Sequence, residues 1–365
     1  MKPGNLLKVA GISALLCAGC TSVASHGATS VASHGAGTVP QARSQPPKPS
    51  AWHVVATLAK NSDETFSAIV ATGEASGWAF KFGTGVTSAY ERTSATTWQQ
   101  APFPSMKMLN ITDAKATSSS NAWAIGSAPF QWLVLRLADG KWSVVKTFDS
   151  PIYGESVLAP SNVWVFGGDG TYHYDGHAWL RVSSSFAAGG YALSANDAWT
   201  YADTTVTHLM GGSAKTFTLA TLLRLEASTG VPKLSEVFAL SDTDVYAIGD
   251  GDTPFQGGPI AIYHYDGSTW KKVAAYNFGD PGRLSPDGAG GFWLTVTQFP
   301  SAPSMLLHYS GGRLTPVALP GISDPGFFLF GGMSRVPGTT HLLVIGNTTA
   351  QSDAVNSYGI ILQLS

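Results

Sequence analysis

Ten of the chain's eleven tryptophans fall at two positions of a repeating unit. Trp78, Trp123, Trp164, Trp199 and Trp293 each sit inside an apolar run, and Tyr246 holds the same slot in one further unit. Trp52, Trp98, Trp142, Trp179 and Trp270 each open a run of the W-x-x-V type or similar, which leaves Trp132 outside both series. Successive first-slot aromatics stand 45, 41, 35, 47 and 47 residues apart. A unit of that length, built of short apolar runs and turn signals, cannot bury its hydrophobic face alone and must stack on its neighbours.

The fullest unit runs Ser241-Asp-Thr-Asp-Val-Tyr-Ala-Ile-Gly249, then a loop, then Ile262-Tyr-His-Tyr-Asp-Gly-Ser-Thr-Trp270-Lys-Lys-Val273. Aromatic and β-branched residues alternate with small or polar ones, the period-2 pattern of a half-buried strand. The Asp-Gly pairs at 139–140, 175–176 and 266–267 separate two such runs and predict tight type I′ hairpins. Each unit therefore predicts four antiparallel strands, the blade of an all-β propeller. The first slot is filled six times from Trp78 to Trp293 and again by Leu342-Leu-Val-Ile-Gly346. That last unit ends at Ser365 without a W-x-x-V run, while Trp52-His-Val-Val55 stands unclaimed at the other end. An N-terminal strand closing the last blade makes seven blades and hides the open sheet edges. The 315 residues from Ala51 to Ser365 then divide into 45 per blade.

On its S-x-x-D-V-W-A-x-G and H-x-D-G-x-x-W signatures, residues 51–365 resemble the seven-bladed β-propellers of secreted bacterial repeat proteins. The G-H…W-D pairing of WD40 repeats is missing. The Asp-box of sialidase-like propellers, S-x-D-x-G-x-x-W, is also not matched, because Asp and Gly are adjacent here.

Residues 1–20 read as an export signal. Lys2 and Lys8 give a positive start, and Val9 to Leu16 form an apolar core too short for a stable transmembrane helix. The ending Cys17-Ala-Gly-Cys20 resembles the lipobox of bacterial lipoproteins, with Cys17 where Leu is usual, so Cys20 is the expected lipidation site. The resemblance implies export to the extracytoplasmic side and anchoring in a bacterial membrane. No cysteine follows Cys20, so the body relies on its core rather than on disulfides. Residues 21–50 predict a flexible tether: Thr21–Ala28 is duplicated as residues 29–36, and a Pro-rich stretch follows. His26 and His34 in such a tract make a poor metal site.

Charged residues are 12% of the chain and its formal net charge is −2. With no basic run or RNA-binding motif, nucleic acid is not an expected partner. The expectation is a monomer, without cofactor or metal, that binds a protein or glycan at the cell envelope. His173, His264 and His308 recur six residues before the second slot, with His208 near the equivalent place. Equivalent positions on different blades lie far apart, so these histidines read as blade packing.

Binding on a propeller is expected on loops at one face. The links between second and third strands are long in the fifth to seventh units, and the between-blade links share their face. The expected ligand-binding wall is Asp250, Asp252, Phe255, Gln256, Asp280, Arg283, Gln298 and Phe299. Asp250-x-Asp252 lacks the further ligands of a calcium loop. No G-x-S-x-G, H-E-x-x-H or phosphate-binding Gly loop is present, so no catalytic residue is assigned. The alternative is a propeller glycoside hydrolase or lyase acting on polysaccharide, which Arg, Tyr and carboxylates in a central funnel would favour. An assembly factor without a pocket is the third reading.

Overall fold

The computed structural model describes residues 51–58, 64–83, 85–224, 233–250, 258–297, 304–319, 327–349 and 358–365. The segments expected to be signal and tether lie outside them. Residues 49–365 form one compact unit. The fold is all-β, made of antiparallel sheets, as the alternating pattern predicts.

Strand β1 (Trp52–Thr57) opens the body. One sheet follows in chain order: β2 (Thr65–Gly73), β3 (Ser76–Gly83), β4 (Val86–Arg92) and β5 (Trp98–Ala101). The next is β6 (Asn110–Ser118), β7 (Asn121–Ala128), β8 (Gln131–Ala138) and β9 (Lys141–Phe148). Then come β10 (Ile152–Ala159), β11 (Asn162–Gly167), β12 (Gly170–Tyr174) and β13 (Trp179–Ser183). A further sheet is β14 (Gly189–Ser194), β15 (Asp197–Ala202), β16 (Thr205–Met210) and β17 (Ser213–Thr218). After the short helix α1 (Ala220–Arg224), seven strands run on in one sheet. These are β18 (Lys233–Ser241), β19 (Asp244–Asp250), β20 (Gly258–Tyr265), β21 (Trp270–Pro286), β22 (Phe292–Thr297), β23 (Met305–Ser310) and β24 (Arg313–Val317). Strand β21 spans 17 residues, so it ends one repeat and begins the next without a break. The last sheet has the order β1-β27-β26-β25, from β25 (Phe327–Arg335), β26 (Leu342–Thr349) and β27 (Tyr358–Leu364). The first strand of the body thus pairs with the last, Trp52 opposite Leu364 and Thr57 opposite Ile360.

Helix α1 departs from the all-strand expectation. Leu219 and Leu223, four apart, both sink to 1% exposure, so one helical turn brings two leucines onto the same core face. Among the Asp-Gly pairs, Asp139-Gly140 has φ of 51° and 71°, the two positive values of a type I′ turn. The other two pairs correct the expectation. In Asp175-Gly176 and Asp266-Gly267 only the glycine is left-handed, with φ of 96° and 88°. The Asp175 carboxylate accepts from the N–H of His177 and Ala178, and Asp266 from Ser268 and Thr269. A carboxylate able to cap two amides favours a longer turn over the two-residue one.

The two aromatic slots meet between sheets. Trp142 packs on Trp78 with ring centroids 5.5 Å apart, Trp179 on Trp123 at 6.3 Å, and Trp270 on Trp199 at 6.4 Å. In these three pairs the second-slot ring covers the first-slot ring of the preceding sheet. The repeated histidines lie inside single sheets. His208 Nε2 donates to Asp197 at 2.8 Å and stacks on Trp199 at 4.0 Å. His308 repeats this with Asp287 and Trp293, His264 with Asp244 and Tyr246, and His173 with Asn162 and Trp164.

Candidate ligand site

The first strand of each repeat packs against the first strand of the next, from β2 through β6, β10, β14, β18 and β21 to β25, and β25 lies against β2. All of them contribute to one cavity of about 270 Å³. Its polar wall holds Asp113 and Lys115 from β6, Tyr153 and Glu155 from β10, and Tyr191 from β14. Tyr201, Glu236, Arg283 and Arg335 complete it. A smaller pocket of about 30 Å³ shares Asp113, Lys115, Glu236 and Arg283, so these four form the partition between two spaces.

Bulges place these groups. The register shifts near the start of β2, β6, β10 and β18, near the end of β21, and at the middle of β25. Such a bulge re-aims the side chains around it. In three strands the bulge residue is Ser67, Thr112 or Ser235, whose hydroxyl donates to the second-strand carbonyl of Phe80, Ile125 or Ile248. In β10 the same slot holds Tyr153, which cannot make that short bond and stands 41% exposed at the cavity.

The charges are arranged unequally. Lys115 Nζ donates to both oxygens of Asp113, at 2.9 and 3.0 Å. Desolvation works against charge on both partners, but their mutual attraction outweighs it. The Asp113 carboxyl is held below its usual range, with Arg283 helping, and the Lys115 ammonium is raised. Lys115 is 43% exposed at its side chain, where it lines the cavity. Arg283 Nη2 crosses from β21 to donate to the Thr112 carbonyl in β6 at 2.9 Å, a bridge that narrows the space between those strands.

Glu155 has no such partner. It is 4% exposed, and among the described residues neither carboxyl oxygen has a hydrogen-bond partner. Burial, reinforced by the charge of Asp113 and opposed by Lys115, holds its carboxyl well above the usual range. Burial likewise pushes Glu236 up to about 7, against the pull of Arg283. Tyr191 and Tyr201 are raised by burial too, and the Tyr201 hydroxyl donates to the Ser235 carbonyl at 2.5 Å. Protonated carboxyls both donate and accept, so the cavity can meet a polyhydroxylated, amide or carboxylate group with hydrogen bonds on several sides.

Glu236 carries a pH signature. Its folded-state pKa lies above the ordinary 4.5, so the native state holds its proton longer than the unfolded chain does. Its full contribution is present below about pH 4.5 and is lost as pH rises through about 7. Glu236→Gln should remove that slope. Denaturant titrations should then find the variant more stable than the parent by about 3 kcal/mol at pH 8, with the two converging near pH 4.5. Parallel pH profiles would refute this account.

The residues expected in a loop wall divide. Arg283 lines the cavity. Asp280 is half-buried on β21, opposite Thr297, and Asp250 is buried at 6% exposure at the end of β19. Asp252, Phe255, Gln256, Gln298 and Phe299 lie outside the described residues. Asp113, Lys115, Glu155, Glu236, Tyr153 and Tyr191 were not expected as site residues. A signal for most of them exists: Asp113, Lys115, Glu155, Tyr191, Glu236 and Arg283 each stand eight to ten residues before a first-slot aromatic. Small or apolar residues such as Ala68, Ile69, Val70, Gly190 and Leu284 fill that window elsewhere.

No protein-family model matches the chain, and no curated protein matches it in sequence. Solved structures do match in shape. YCF48 bound to a D1 peptide is 12% identical, with a TM-score of 0.56 over 88% of this chain and 98% of that one. A catalytically inactive virginiamycin B lyase from Staphylococcus aureus with quinupristin is 12% identical, TM-score 0.56, over 86% and 100%. The extracellular domain of BT4673 from B. thetaiotaomicron is 10% identical, TM-score 0.56, over 85% of this chain and 40% of that one. The chain is similar in fold to these β-propeller proteins, whose functions differ, and fold likeness does not carry an activity across. Among the described residues no helix is long and apolar enough to cross a membrane.

Proposed function

We propose that this chain is an exported, seven-bladed propeller, anchored through Cys20, that binds a protein or glycan of the cell envelope without transforming it. The ligand sits in the cavity between the first strands. The single observation that carries this reading is Glu155, a buried carboxyl with both oxygens unpartnered on a cavity wall. Leaving such a group unsatisfied costs about 1–3 kcal/mol, which a ligand would recover. Support for the blade count comes from the sheet pairings: β21 serves two repeats, so the seven-stranded sheet counts as two blades beside the others. The wall of Asp250, Asp252, Asp280 and the loops bearing Phe255, Gln256, Gln298 and Phe299 is proposed as a second contact. Those loops join second to third strands, at the sheet ends where the between-blade links also run.

A hydrolase or lyase is the second reading. Its support is the meeting of Arg283, Tyr191, Tyr201 and the carboxyls Glu155 and Glu236, both of raised pKa, in one cavity. A carboxyl that keeps its proton near neutrality is suited to general acid work.

The test captures envelope polysaccharides and peptides on the purified protein and on Glu155→Ala. Removing an unpartnered carboxyl should leave the fold intact, and affinity should fall about tenfold or more. Undiminished capture by a folded Glu155→Ala protein would end the cavity assignment. Mass analysis of the captured ligand decides between the readings, since cleaved material would establish the enzyme.

A further inference from the structure

Beyond the cavity, at the same end of the sheets, lies an aromatic row. Trp132, early in β8, is half-buried, and its ring centroid is 6.4 Å from that of Tyr153. Tyr153 in turn lies 5.8 Å from Phe186, in the link between β13 and β14. Tyr153 and Phe186 are 41% and 47% exposed. Tyr153 also lines the cavity, so the row and the polar wall are continuous. Phe130, two residues before Trp132 in the chain, occupies the turn between β7 and β8 and is 98% exposed.

Phe130 has φ of +65°, where a bulky residue is strained and glycine or asparagine would be at ease. A fully exposed aromatic gains nothing from burial to offset that strain. Strain of this kind, kept without a packing reason, marks functional positions. Contiguous exposed aromatics likewise mark binding sites on soluble surfaces.

One ligand chemistry uses both halves of this surface. Sugar rings lay their C–H faces on aromatic rings while their hydroxyls take paired hydrogen bonds from carboxyl, Arg and Tyr groups. The planes of Trp132 and Tyr153 are inclined by 51° and those of Tyr153 and Phe186 by 68°, so a sugar chain would meet the three rings at successive angles along a curved path. Resting on the cavity reading above, we propose that Trp132, Tyr153 and Phe186, flanked by Phe130, form the track of a polysaccharide-binding site whose terminal sugar is held in the cavity by Glu155. The cavity fixes the chain end, and the track supplies affinity that grows with chain length.

The test measures calorimetric affinities of the full chain for disaccharides and hexasaccharides of a β-1,4-glucan, a β-1,4-linked N-acetylglucosamine polymer and a polyuronate, and for envelope-derived peptides. For at least one sugar series the hexasaccharide should bind about tenfold tighter than the disaccharide. Trp132→Ala, Phe186→Ala and Phe130→Gly should each shrink that gain, lowering hexasaccharide affinity more than disaccharide affinity. Glu155→Ala should weaken both lengths. Phe130→Gly relieves the left-handed strain and should not lower the Tm, so its loss of binding cannot be assigned to unfolding.

The outcomes separate the two readings. A length gain that survives Trp132→Ala and Phe186→Ala overturns the track and leaves the cavity standing. Peptide binding sensitive to Glu155, without any sugar binding, overturns the polysaccharide class alone. Sugar affinity indifferent to Glu155→Ala overturns the cavity assignment and the proposal with it. Absence of binding to every probe overturns both.

Discussion

Deleting Trp52 to Thr57 should abolish stable folding of the body, leaving aggregated or protease-sensitive protein after refolding. These six residues are β1, and their partner β27 belongs to the far end of the chain. The pairing runs from Trp52–Leu364 to Thr57–Ile360, and Ala51 and Ser365 exchange backbone hydrogen bonds beyond it at 3.1 Å. Val55, 8% exposed, enters the cluster of Phe66, Ile69, Val336, Leu343 and Ile345. Trp52 Nε1 donates to the Ala318 carbonyl at 2.9 Å, tying β1 also to the segment after β24. Without β1 the apolar strand β27 becomes an open edge, the pairing template that sheet proteins hide. Burial of Val55 and part of Trp52, the lost ladder bonds and the lost loop closure together amount to about 5 kcal/mol or more. That is comparable with the whole stability of an ordinary domain, about 5–15 kcal/mol. Far-UV circular dichroism and limited proteolysis of the deletion would check this, and a cooperative, parent-like melt would refute it. The point change Val55→Asp should move in the same direction by a smaller amount, because the strand can still pair.

Trp199→Ala should be the most damaging single truncation of the tryptophan series, at about 3–5 kcal/mol. Its ring is fully buried and meets four neighbours. It stacks on His208 at 4.0 Å with planes 7° apart, and lies 5.9 Å from Phe217, 5.6 Å from Tyr265 and 6.4 Å from Trp270. Tyr265 and Trp270 come from the following repeat, so the cavity left by the truncation opens at a junction between sheets. The His208–Asp197 bond would lose the ring that shields it. Trp132→Ala, by contrast, should cost under about 1 kcal/mol, since that ring is half-buried on the surface row. Denaturant midpoints of the two variants would make the comparison. Equal losses would mean that the two aromatic series do not divide into core and surface as described.

The same contrast tells how much of this protein could be read from its residues. Trp78, Trp123, Trp164 and Trp199 announce buried strands because a large aromatic at a fixed slot repeats only where every unit needs the same packing. The fit of Trp52-His-Val-Val55 into the last sheet was also legible, since a missing run at one end and a spare run at the other imply a pairing. The turns were legible only in part. Asp139-Gly140 and Asp175-Gly176 look alike, yet the second carboxylate finds two amides within 2.8 Å and makes a longer loop. That outcome depends on the local backbone path, which a dipeptide does not encode.

The candidate site was the least legible part. Glu155, Asp113 and Glu236 come from three different repeats and are ordinary carboxylates in their own segments. What makes them a site is their convergence on one space, and the loss of water around them that moves Glu155 and Glu236 upward. Tyr153 departs from the Ser67, Thr112 and Ser235 of its slot, a deviation visible in the aligned repeats but without meaning until its neighbours Trp132 and Phe186 are known. Strand pattern, repeat and the partner of the first strand follow from the residues, because periodicity and turn chemistry act over a few residues. Which charges share a cavity, and which of them lacks a partner, emerges only in the folded chain, because those properties depend on distances between repeats far apart in sequence.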